Sequence, residues 1–315
     1  MGLEQLSRGE IDRTTYERQF GHRGPTELEV SIARPGEDPD WIDRQLAGLR
    51  QAPVNVATLL ARQEQVQAAA WERFQQRFPR RASAMRHRLN RMATAACNRE
   101  EARSEVVRVF WVLRAFARRA GALTGQGEAI FFLSIDEILT LLGGDQAALS
   151  SVKARQTTHA RYCALPAYPA LIRGRFDPFR WAADPGRRSD LFDSRGDGAP
   201  VCDAITGFPG AAGVVEGVVR VILTMDESDQ LRAGEILVTT MTNVGWTSLF
   251  PRAAAIVTDV GAPLSHAAIV ARELGIPAVV GCGNATMRLH TGDLVRVNGA
   301  QGTVEVLQVA ETPIE

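Results

Sequence analysis

Lysine is almost absent from the sequence. Lys153 is the only lysine among 315 residues, and arginine supplies every other positively charged side chain. A single lysine leaves almost no room for Schiff-base or lysine-nucleophile chemistry. The sequence also lacks the phosphate-binding loops GxxxxGKS/T and GxGxxG, which argues against ATP binding by this chain alone.

Cysteine pairs and long apolar runs are missing as well. The four cysteines, Cys97, Cys163, Cys202 and Cys282, are widely spaced and form no CxxC pair. This spacing predicts reduced thiols rather than a disulfide framework or a zinc site. No apolar run reaches the roughly 18 residues that a membrane helix needs. We therefore expect a cytoplasmic protein with no membrane partner and no metal ligands of its own.

The charge is balanced overall but unevenly distributed. Residues 201–315 contain 6 arginines and 12 acidic residues, so the first 200 residues carry the compensating excess of arginine. The length suits two ordinary domains or one large one. The opposite signs suggest two units that attract each other, although ordinary drift in composition gives the same asymmetry.

The first part of the chain has the pattern of a helical domain. Residues 1–40 are mixed and rich in turns, and apolar residues recur at helical spacing through residues 40–180. Gly121 and Gly125 fall where a long Arg-rich helix, beginning near Arg80, should end. After it, Ser134 and Glu137 resemble a capping box that opens a short helix. Gly143 and Gly144 should end that helix, and residues 144–165 predict one more.

The pattern changes near residue 182. Residues 182–213 are rich in Gly, Pro, Asp and Ser, which is typical of a linker. Beyond them come short β-rich runs: VVEGVVRVILT, GEILVTT, AAAIVTD, IPAVVG, DLVRVNG and GTVEVLQV. The predicted fold class is α followed by α/β, with a mainly helical domain over 1–183, a linker over 184–204 and a compact β/α domain over 205–315.

A histidine stands where a glycine-containing loop turns into a short helix, in the run GAPLSHAAIVARELGIP. Ser265 is a good N-cap and Gly275 suits the C′ position, so His266 should open the helix. The helix N-terminus carries about half a positive charge, which favours a bound anion and a neutral imidazole. A neutral imidazole is a sound phosphoryl carrier, although a histidine in a first turn is more often structural.

The run TDVGAPLSHAAIVARELGIPAVVG, residues 258–281, closely resembles the signature of the phosphohistidine swivelling (mobile) domain of the PEP-utilising enzyme family. The runs PGAAGVVEGVVRV and GEILVTTMTNVGWTSLFPRAAAIVTD resemble the same domain, so the resemblance covers about residues 205–309. In layout the chain is most similar to the C-terminal part of proteins like rifampicin phosphotransferase and phosphoenolpyruvate synthase. The resemblance implies that His266 is the phosphorylated residue.

The loop before the histidine departs from the family pattern. Gly261 is present, but Ala262 replaces the second glycine, so we expect a stiffer phosphate loop and an altered approach of its backbone to phosphate. Pro263 fixes the loop further. Leu264 occupies the place of a regulatory threonine in dikinases, which implies that this control is absent. None of these changes removes the nucleophile.

Three residues near His266 each have two interpretations. Ser265 is either a helix cap alone or a cap that also bonds the phosphoryl group. Thr258 either orients the phosphoryl group or bonds a turn. Arg272 does not share a helix face with His266 and is expected to pair with an acidic residue, whereas the resemblance makes a phosphate contact the alternative.

The run FGHRGPTELEVSIARPGEDP is the most distinctive part of the N-terminal region. The first 180 residues resemble, more weakly, the helical segment that precedes the swivelling domain in rifampicin-phosphotransferase-like proteins. His22, Arg23 and Glu27 are candidate substrate-binding residues, because an arginine beside a Gly-Pro turn suits an anionic group. The alternative is an ordinary turn held by a hydrogen-bonded histidine. The segment from Arg62 to Arg119 is Arg-rich but poor in exposed aromatics, which argues against nucleic-acid binding.

These patterns together predict a split, dikinase-like phosphotransferase. The resemblance implies that a separate ATP-grasp protein binds ATP and Mg²⁺ and phosphorylates His266, and that this chain holds no tightly bound cofactor. The phosphoryl group would pass to a small-molecule acceptor on the helical domain, with His22 as the candidate base. The alternatives are a non-catalytic binding or scaffold module with a degenerate swivelling domain, and a fragment of a PEP-utilising phosphotransferase.

Overall fold

The computed structural model describes residues 2–24, 26–50, 56–196 and 204–310. Its contacts divide the chain into two compact units, here called the helical unit and the sheet unit. The helical unit comprises Met1–Arg44 and Ser83–Pro166, and the sheet unit comprises Gln45–Ala82 and Ala167–Glu315. A helical N-terminal region precedes a region of sheet and helices, which confirms the predicted fold class in outline.

Helices dominate the first half of the chain. They are α1 (Gly2–Ser7), α2 (Arg13–Phe20), α3 (Trp41–Arg50), α4 (Val56–Arg77), α5 (Pro79–Thr124), α6 (Ile135–Leu142) and α7 (Val152–Cys163). Helices α1 and α2 lie where only turns were predicted. Helix α2 forms because Asp12 caps it and accepts a hydrogen bond from the N–H of Thr15 at 2.6 Å. Within the described ranges, no helix combines the length and the apolarity of a membrane span.

Local signals explain the ends of α5 and α6. Ser134 caps α6, and its backbone N–H donates to Glu137 Oε2 at 2.8 Å, so the predicted capping box is confirmed. Helix α5 ends at Gly125, which has a positive φ of 73°, and runs straight past Gly121. Any side chain at Gly121 would collide with the carbonyl oxygen of Gly127. This glycine therefore permits close packing and does not end the helix.

Residues 167–196 form a small structure within the sheet unit. Strand β1 (Leu171–Arg173) pairs in parallel with β2 (Leu191–Asp193), and α8 (Pro178–Ala182) lies between them along the chain. Four aromatic rings pack together beside these strands: Tyr168, Phe176, Trp181 and Phe192. Strand β1 corrects the prediction that residues up to 180 are helical. Its partner lies far along the chain, so local periodicity could not reveal it.

The predicted linker, residues 184–204, begins inside this structure. The backbone N–H of Ser189 donates to the carbonyl oxygen of Gly283 at 2.8 Å. The guanidinium of Arg188 lies so close to Gly283 that a side chain there would collide with it. Residues 197–203 lie outside the described residues. The boundaries at 183 and 205 therefore stay a prediction, while the contacts group residues 45–82 with the sheet unit rather than with the helical one.

An eight-stranded sheet forms the centre of the sheet unit. Its strands are β3 (Ile205–Thr206), β4 (Phe208–Ala211), β5 (Val214–Val221), β6 (Ile236–Thr239), β7 (Ala255–Thr258), β8 (Ala278–Val280), β9 (Leu294–Asn298) and β10 (Thr303–Gln308). Their order across the sheet is β3-β10-β9-β5-β6-β7-β8-β4. Strands β5 to β8 run parallel, and the outer pairs are antiparallel. The six predicted strands are confirmed. Strands β3 and β4 lie within residues 182–213, the segment whose composition is typical of a linker.

Alternate residues of the central strands face two separate apolar cores. Leu237 and Ile256 belong to one core, and Val238 and Val257 belong to the other, all at 0% exposure. Burial on both faces explains why these strands are continuous apolar runs instead of alternating ones. Two helices complete the unit after β7 and β8, α9 (His266–Leu274) and α10 (Ala285–Arg288).

Helix α4 packs on the first of these cores although it is distant in sequence. Val56, Leu59 and Leu60 contact the core that contains α9. Gln63 lies against Gly275, the residue that ends α9. Ser248 Oγ also donates a hydrogen bond to Oε1 of Gln45, which precedes α4 in the chain, at 2.8 Å. The helix that His266 opens is therefore covered by a segment that the sequence assigned to the helical domain.

Candidate functional site

His266 is the first residue of α9, immediately after the loop that follows β7. Ser265 has the extended backbone of an N-cap, with φ −69° and ψ 160°, and Gly275 ends the helix in the left-handed region with φ 70°. These observations confirm the predicted start and end of the helix. His266 itself is half-buried. Its ring therefore lies beside the unpaired N–H groups of the first helical turn.

Two threonine hydroxyls contact the imidazole of His266. Thr242 Oγ1 lies 3.1 Å from Nδ1, and Thr247 Oγ1 lies 3.3 Å from Nε2. Thr247 Oγ1 already donates its hydrogen to the carbonyl oxygen of Val244 at 2.8 Å, so it can only accept from the ring. A neutral ring that makes both bonds therefore carries its hydrogen on Nε2 and accepts from Thr242 at Nδ1. Thr242 was not singled out from sequence, since only the strand-to-helix geometry brings it to the histidine.

Three hydroxyl groups at the strand ends and in the loop before His266 are buried without hydrogen-bond partners. Among the described residues, Thr239 Oγ1, Thr258 Oγ1 and Ser265 Oγ make no hydrogen bond. Thr239 and Thr258 are cross-strand neighbours at the ends of β6 and β7. A side chain added at Gly261 would stand 3.2 Å from both Ser265 Oγ and Thr258 Oγ1. Gly261 thus lies between two hydroxyls that have unused donor capacity, which is costly to bury.

The loop between β7 and α9 adopts an ordinary backbone conformation. No non-glycine residue in the described part of the chain has a positive φ, so the position of Ala262 does not demand glycine. The N–H of Ser265 donates to the carbonyl oxygen of Ala262 at 2.8 Å and closes a turn before the helix. Leu264 is 70% exposed at the tip of this turn. The expected effect of Ala262 on phosphate stays a prediction.

Arg272 fastens this loop to the sheet. Its Nε donates to the carbonyl oxygen of Gly210 at 2.6 Å, and its Nη2 donates to the carbonyl oxygen of Pro263. These hydrogen bonds join the loop before His266 to β4. The expected pairing with an acidic side chain is replaced by two backbone carbonyls, and the phosphate contact stays a prediction.

Asp259 is a buried residue of this site that sequence reasoning did not single out. It follows Thr258 at the end of β7 and is fully buried. Its Oδ1 accepts from the N–H of Thr286 at 3.0 Å, and its Oδ2 accepts from the hydroxyl of the same residue. Burial raises the pKa of the Asp259 carboxyl, although these hydrogen bonds oppose the rise. The residue ties the end of β7 to the start of α10, and an aspartate directly after an apolar strand was the available signal.

The predicted substrate residues of the N-terminal run lie together in the helical unit. His22 is 1% exposed, and its Nε2 lies 2.7 Å from Ser104 Oγ on α5. Glu27, at 4% exposure, pairs with Arg23 and also accepts from Arg103 Nε at 2.8 Å. Burial is the main cause that lowers the pKa of His22 to about 4, and nearby arginines add to it. His22 is therefore neutral and enclosed in this conformation.

Two buried arginines, Arg34 and Arg114, lie beside this cluster and were not singled out from the sequence. Arg34 is 1% exposed and Arg114 is 4% exposed. Arg114 Nε donates to Glu37 Oε2 at 2.6 Å, and Trp111 Nε1 donates to Glu37 Oε1 at 2.9 Å. Arg34 precedes Pro35 in the run ARPGEDP, and that position was the only signal for its burial.

Comparison with known proteins places this histidine in a family. Residues 231–302 match the family described as PEP-utilising enzyme, mobile domain. The expected resemblance is thereby confirmed: these residues, which include His266 and its loop, match the mobile domain of PEP-utilising enzymes. No group of three or more His, Cys, Asp or Glu side chains within the described ranges is arranged to hold a metal ion.

Several relatives extend the match beyond this domain. An uncharacterized protein of Mycobacterium tuberculosis is 33% identical over 303 residues, which is 92% of this chain and 31% of that protein. Rifampicin phosphotransferase of Streptomyces sviceus is 35% identical over 235 residues, covering 72% of this chain and 25% of its own length. Phosphoenolpyruvate synthase of Deinococcus radiodurans is 46% identical over 117 residues, or 37% and 15% of the two chains. The chain thus spans about a third or less of these relatives and is related to PEP-utilising phosphotransferases.

Proposed function

We propose that this chain carries a phosphoryl group on His266, receives it from an ATP-grasp partner and passes it to a small-molecule acceptor. The observation that carries the proposal is the setting of the imidazole inside the mobile domain. His266 opens α9, both ring nitrogens meet threonine hydroxyls, and unpartnered hydroxyls flank Gly261 beside it. A phosphoryl group on His266 would accept hydrogen bonds from hydroxyl donors that the protein does not otherwise use.

Loading of the histidine forms an N–P bond and breaks a P–O bond of the donor. The attacking ring nitrogen needs a free lone pair, so one threonine contact must give way as the phosphoryl group arrives. The phosphoryl oxygens then accept hydrogen bonds from Thr258, from Ser265 and from the N-terminus of α9. Arg272 serves here as a positioning residue, because it holds the loop through the carbonyl of Pro263.

Transfer to the acceptor breaks the N–P bond and forms a new P–O bond on the acceptor hydroxyl, whose proton passes to a base. In the complete cycle, ATP, acceptor and water give phospho-acceptor, AMP and phosphate. ATP and Mg²⁺ belong to the ATP-grasp partner, and the mobile domain moves between that partner and the acceptor. His22 can act as the base only if its surroundings open, because it is 1% exposed.

Intact-mass measurement tests the proposal. The chain is mixed with a co-expressed ATP-grasp protein and ATP, and we expect one acid-labile phosphoryl group that His266→Gln abolishes. His290→Gln serves as the matched control, since the side chain of His290 is 73% exposed. A competent partner that loads nothing on His266 would exclude the carrier function.

The unpartnered hydroxyls give a finer test of the same proposal. Thr258→Val and Ser265→Ala should each slow phosphoryl uptake about tenfold, the equivalent of one lost hydrogen bond of about 1.4 kcal/mol. Thr303→Val, on β10, is the control. Unchanged uptake in both site variants would mean that these hydroxyls do not contact the phosphoryl group.

A scaffold function is the second candidate, because Ala262 stands where the family has glycine and both ring nitrogens of His266 are engaged. In that case His266→Ala would leave partner binding and biological activity intact. Loss of activity in a folded His266→Ala variant supports the carrier.

A further inference from the structure

We propose that Arg34 and His22 form a binding site for an oxyanion, the carboxylate or phosphate group of a small molecule, in the helical unit. The proposal concerns a different unit from His266 and holds whether or not that histidine carries a phosphoryl group. It is carried by the guanidinium of Arg34, which is buried and has two nitrogens without a hydrogen-bond acceptor among the described residues.

The guanidinium of Arg34 is buried with one edge unused. The residue is 1% exposed, and Nη1 donates to the carbonyl oxygen of Thr26 at 2.8 Å. Among the described residues, Nε and Nη2 have no hydrogen-bond acceptor. These two nitrogens form the edge of the fork whose N–H bonds point in parallel, the edge that grips a carboxylate or phosphate through two hydrogen bonds.

The nearby carboxylates are committed to other donors. Glu27 pairs with Arg23 and Arg103. Glu37, which is half-buried, receives hydrogen bonds from Arg114, Trp111 and the backbone N–H of Arg34, not from its guanidinium.

The third nearby carboxylate, Glu29, is exposed and accepts hydrogen bonds from the N–H and hydroxyl of Ser31 at 2.8 and 2.7 Å. None of the three carboxylates hydrogen-bonds the guanidinium of Arg34. An enclosed cation without a hydrogen-bonded counter-charge is costly. Glu37, Glu27 and Glu29 offset part of the charge of Arg34 from a distance, and an anion on the free edge would add two hydrogen bonds to a direct counter-charge.

His22 supplies the second group of the site. Its Nε2 is engaged by Ser104, and its Nδ1 is buried without a partner. The charges of Arg108, Arg23 and Arg34 contribute to lowering its pKa, so the ring lies within electrostatic reach of Arg34. An anion bound between them would oppose that effect and raise the pKa of His22.

The segment 26–33 encloses the site and must move to admit a ligand. The carbonyl oxygen of Thr26 bonds Arg34, and those of Val30 and Ser31 bond Arg114 Nη1 at 2.9 and 2.8 Å. On the outside of this segment Leu28 and Ile32 are 57% and 45% exposed. The segment is thus held by the ion pairs of Glu27 and by hydrogen bonds to the two buried arginines more than by apolar packing, and its local opening would admit a ligand.

Thermal unfolding of the full chain tests the site. Sodium phosphate, sodium acetate and sodium chloride are compared at equal ionic strength for the native chain, Arg34→Met, Arg34→Lys and Arg155→Met. Arg155 is the matched control, because it pairs with Glu137 on the exposed surface of the same unit. We expect phosphate or acetate, but not chloride, to raise the Tm of the native chain and of Arg155→Met and to leave that of Arg34→Met unchanged.

The arms of the experiment give distinct answers. A response to phosphate alone identifies a phosphorylated ligand, and a response to acetate identifies a carboxylate.

Arg34→Lys keeps the charge without the fork and should bind the anion about tenfold more weakly, the equivalent of about 1.4 kcal/mol. Arg34→Met also loses the hydrogen bond to Thr26 and the attraction to nearby carboxylates, so the Tm shift of each variant is measured against its own Tm without anion. Equal Tm shifts in the native chain and Arg34→Met would overturn the proposal.

Histidine NMR gives a second readout that a purely structural role would not move. The pKa of His22 should rise on addition of the effective anion in the native chain and in Arg155→Met. In Arg34→Lys the same rise in the pKa of His22 should need about ten times the anion concentration. An unchanged His22 titration in the native chain, at an anion concentration that shifts its Tm, would place the anion elsewhere.

Discussion

The sheet unit and the N-terminal cluster of the helical unit bury different kinds of side chain. At the centre of the sheet, Leu237, Ile256 and Val257 are fully buried in two apolar cores. In the helical unit, Arg34 and Glu27 are nearly as buried, at 1% and 4% exposure. Burial of apolar side chains is favourable by itself, whereas burial of charged side chains is favourable only when each charge has its partner.

This difference predicts where the protein responds to its surroundings. Apolar burial is insensitive to pH and to small ions, so the two apolar cores of the sheet should keep their stability as conditions change. A buried charge network changes its stability with protonation, with the loss of one partner or with the arrival of an anion. The N-terminal charge network of the helical unit should therefore be more sensitive to conditions than these apolar cores.

The largest expected effect comes from removing a partner in that network. Glu27→Gln leaves Arg23 and Arg103 without their shared carboxylate and should lower the free energy of unfolding by about 3–5 kcal/mol. Urea unfolding measures it, and Glu137→Gln, which breaks an exposed pair with Arg155, should cost much less. Similar losses in the two variants would show that burial of the charges does not matter.

The pH dependence of stability should follow His22. Its folded pKa is about 4 and the ordinary value is 6.5, so the native state favours the neutral ring. Stability is complete above pH 6.5 and is lost as the pH falls towards 4, by about 3 kcal/mol in total. His22→Gln should remove this part of the pH profile, and the exposed His290→Gln should retain it. Two superimposable pH profiles for the native chain and His22→Gln would contradict the prediction.

A smaller, condition-independent effect is expected in the sheet. Ile256→Val removes one buried methylene from β7 and should cost about 1 kcal/mol, equally at pH 5 and pH 7. Ile32→Val is the control, because Ile32 is 45% exposed. If the loss of unfolding free energy in Ile256→Val changed with pH, the apolar cores of the sheet would not be insensitive to pH as proposed.

The loop before His266 should tolerate the glycine of the family pattern. Ala262 has no positive φ, so Ala262→Gly adds only unfolded-state freedom and should lower stability by about 0.5–1 kcal/mol. Phosphoryl uptake in the intact-mass assay should stay within about twofold of the native rate, since 0.4 kcal/mol corresponds to that ratio. A large gain in uptake would show that Ala262 restricts the phosphate loop.

The smallest effect concerns thiol reactivity and changes no stability. Burial is the main cause that raises the pKa of the Cys282 thiol to about 12, and the residue is 5% exposed. Cys97 and Cys163 are exposed and should be alkylated by iodoacetamide well before it. Peptide mass mapping follows each cysteine separately. Early modification of Cys282 in the folded chain would mean that the second core of the sheet opens readily.

Much of the fold could be predicted because its signals are local. The six predicted strands are apolar runs between turn residues, and the capping box at Ser134 involves two residues of one helical turn. His266 could be placed at a helix start because Ser265 and Gly275 mark the two ends of that helix. Strand β1 and the packing of α4 on the core of α9 escaped prediction, since both depend on partners far along the chain.

The sequence by itself determined the division into a helical part and a strand-rich part, the six strands β5 to β10, the position of His266 and the family that its domain resembles. These features depend on periodicity, caps and a contiguous motif, which act over a few residues. Only the tertiary structure decided that Thr242 and Thr247 meet the imidazole, and that Arg34 is buried with a free edge. Such contacts arise when distant segments pack together, because burial and hydrogen-bond partners are properties of the folded chain and not of any segment alone.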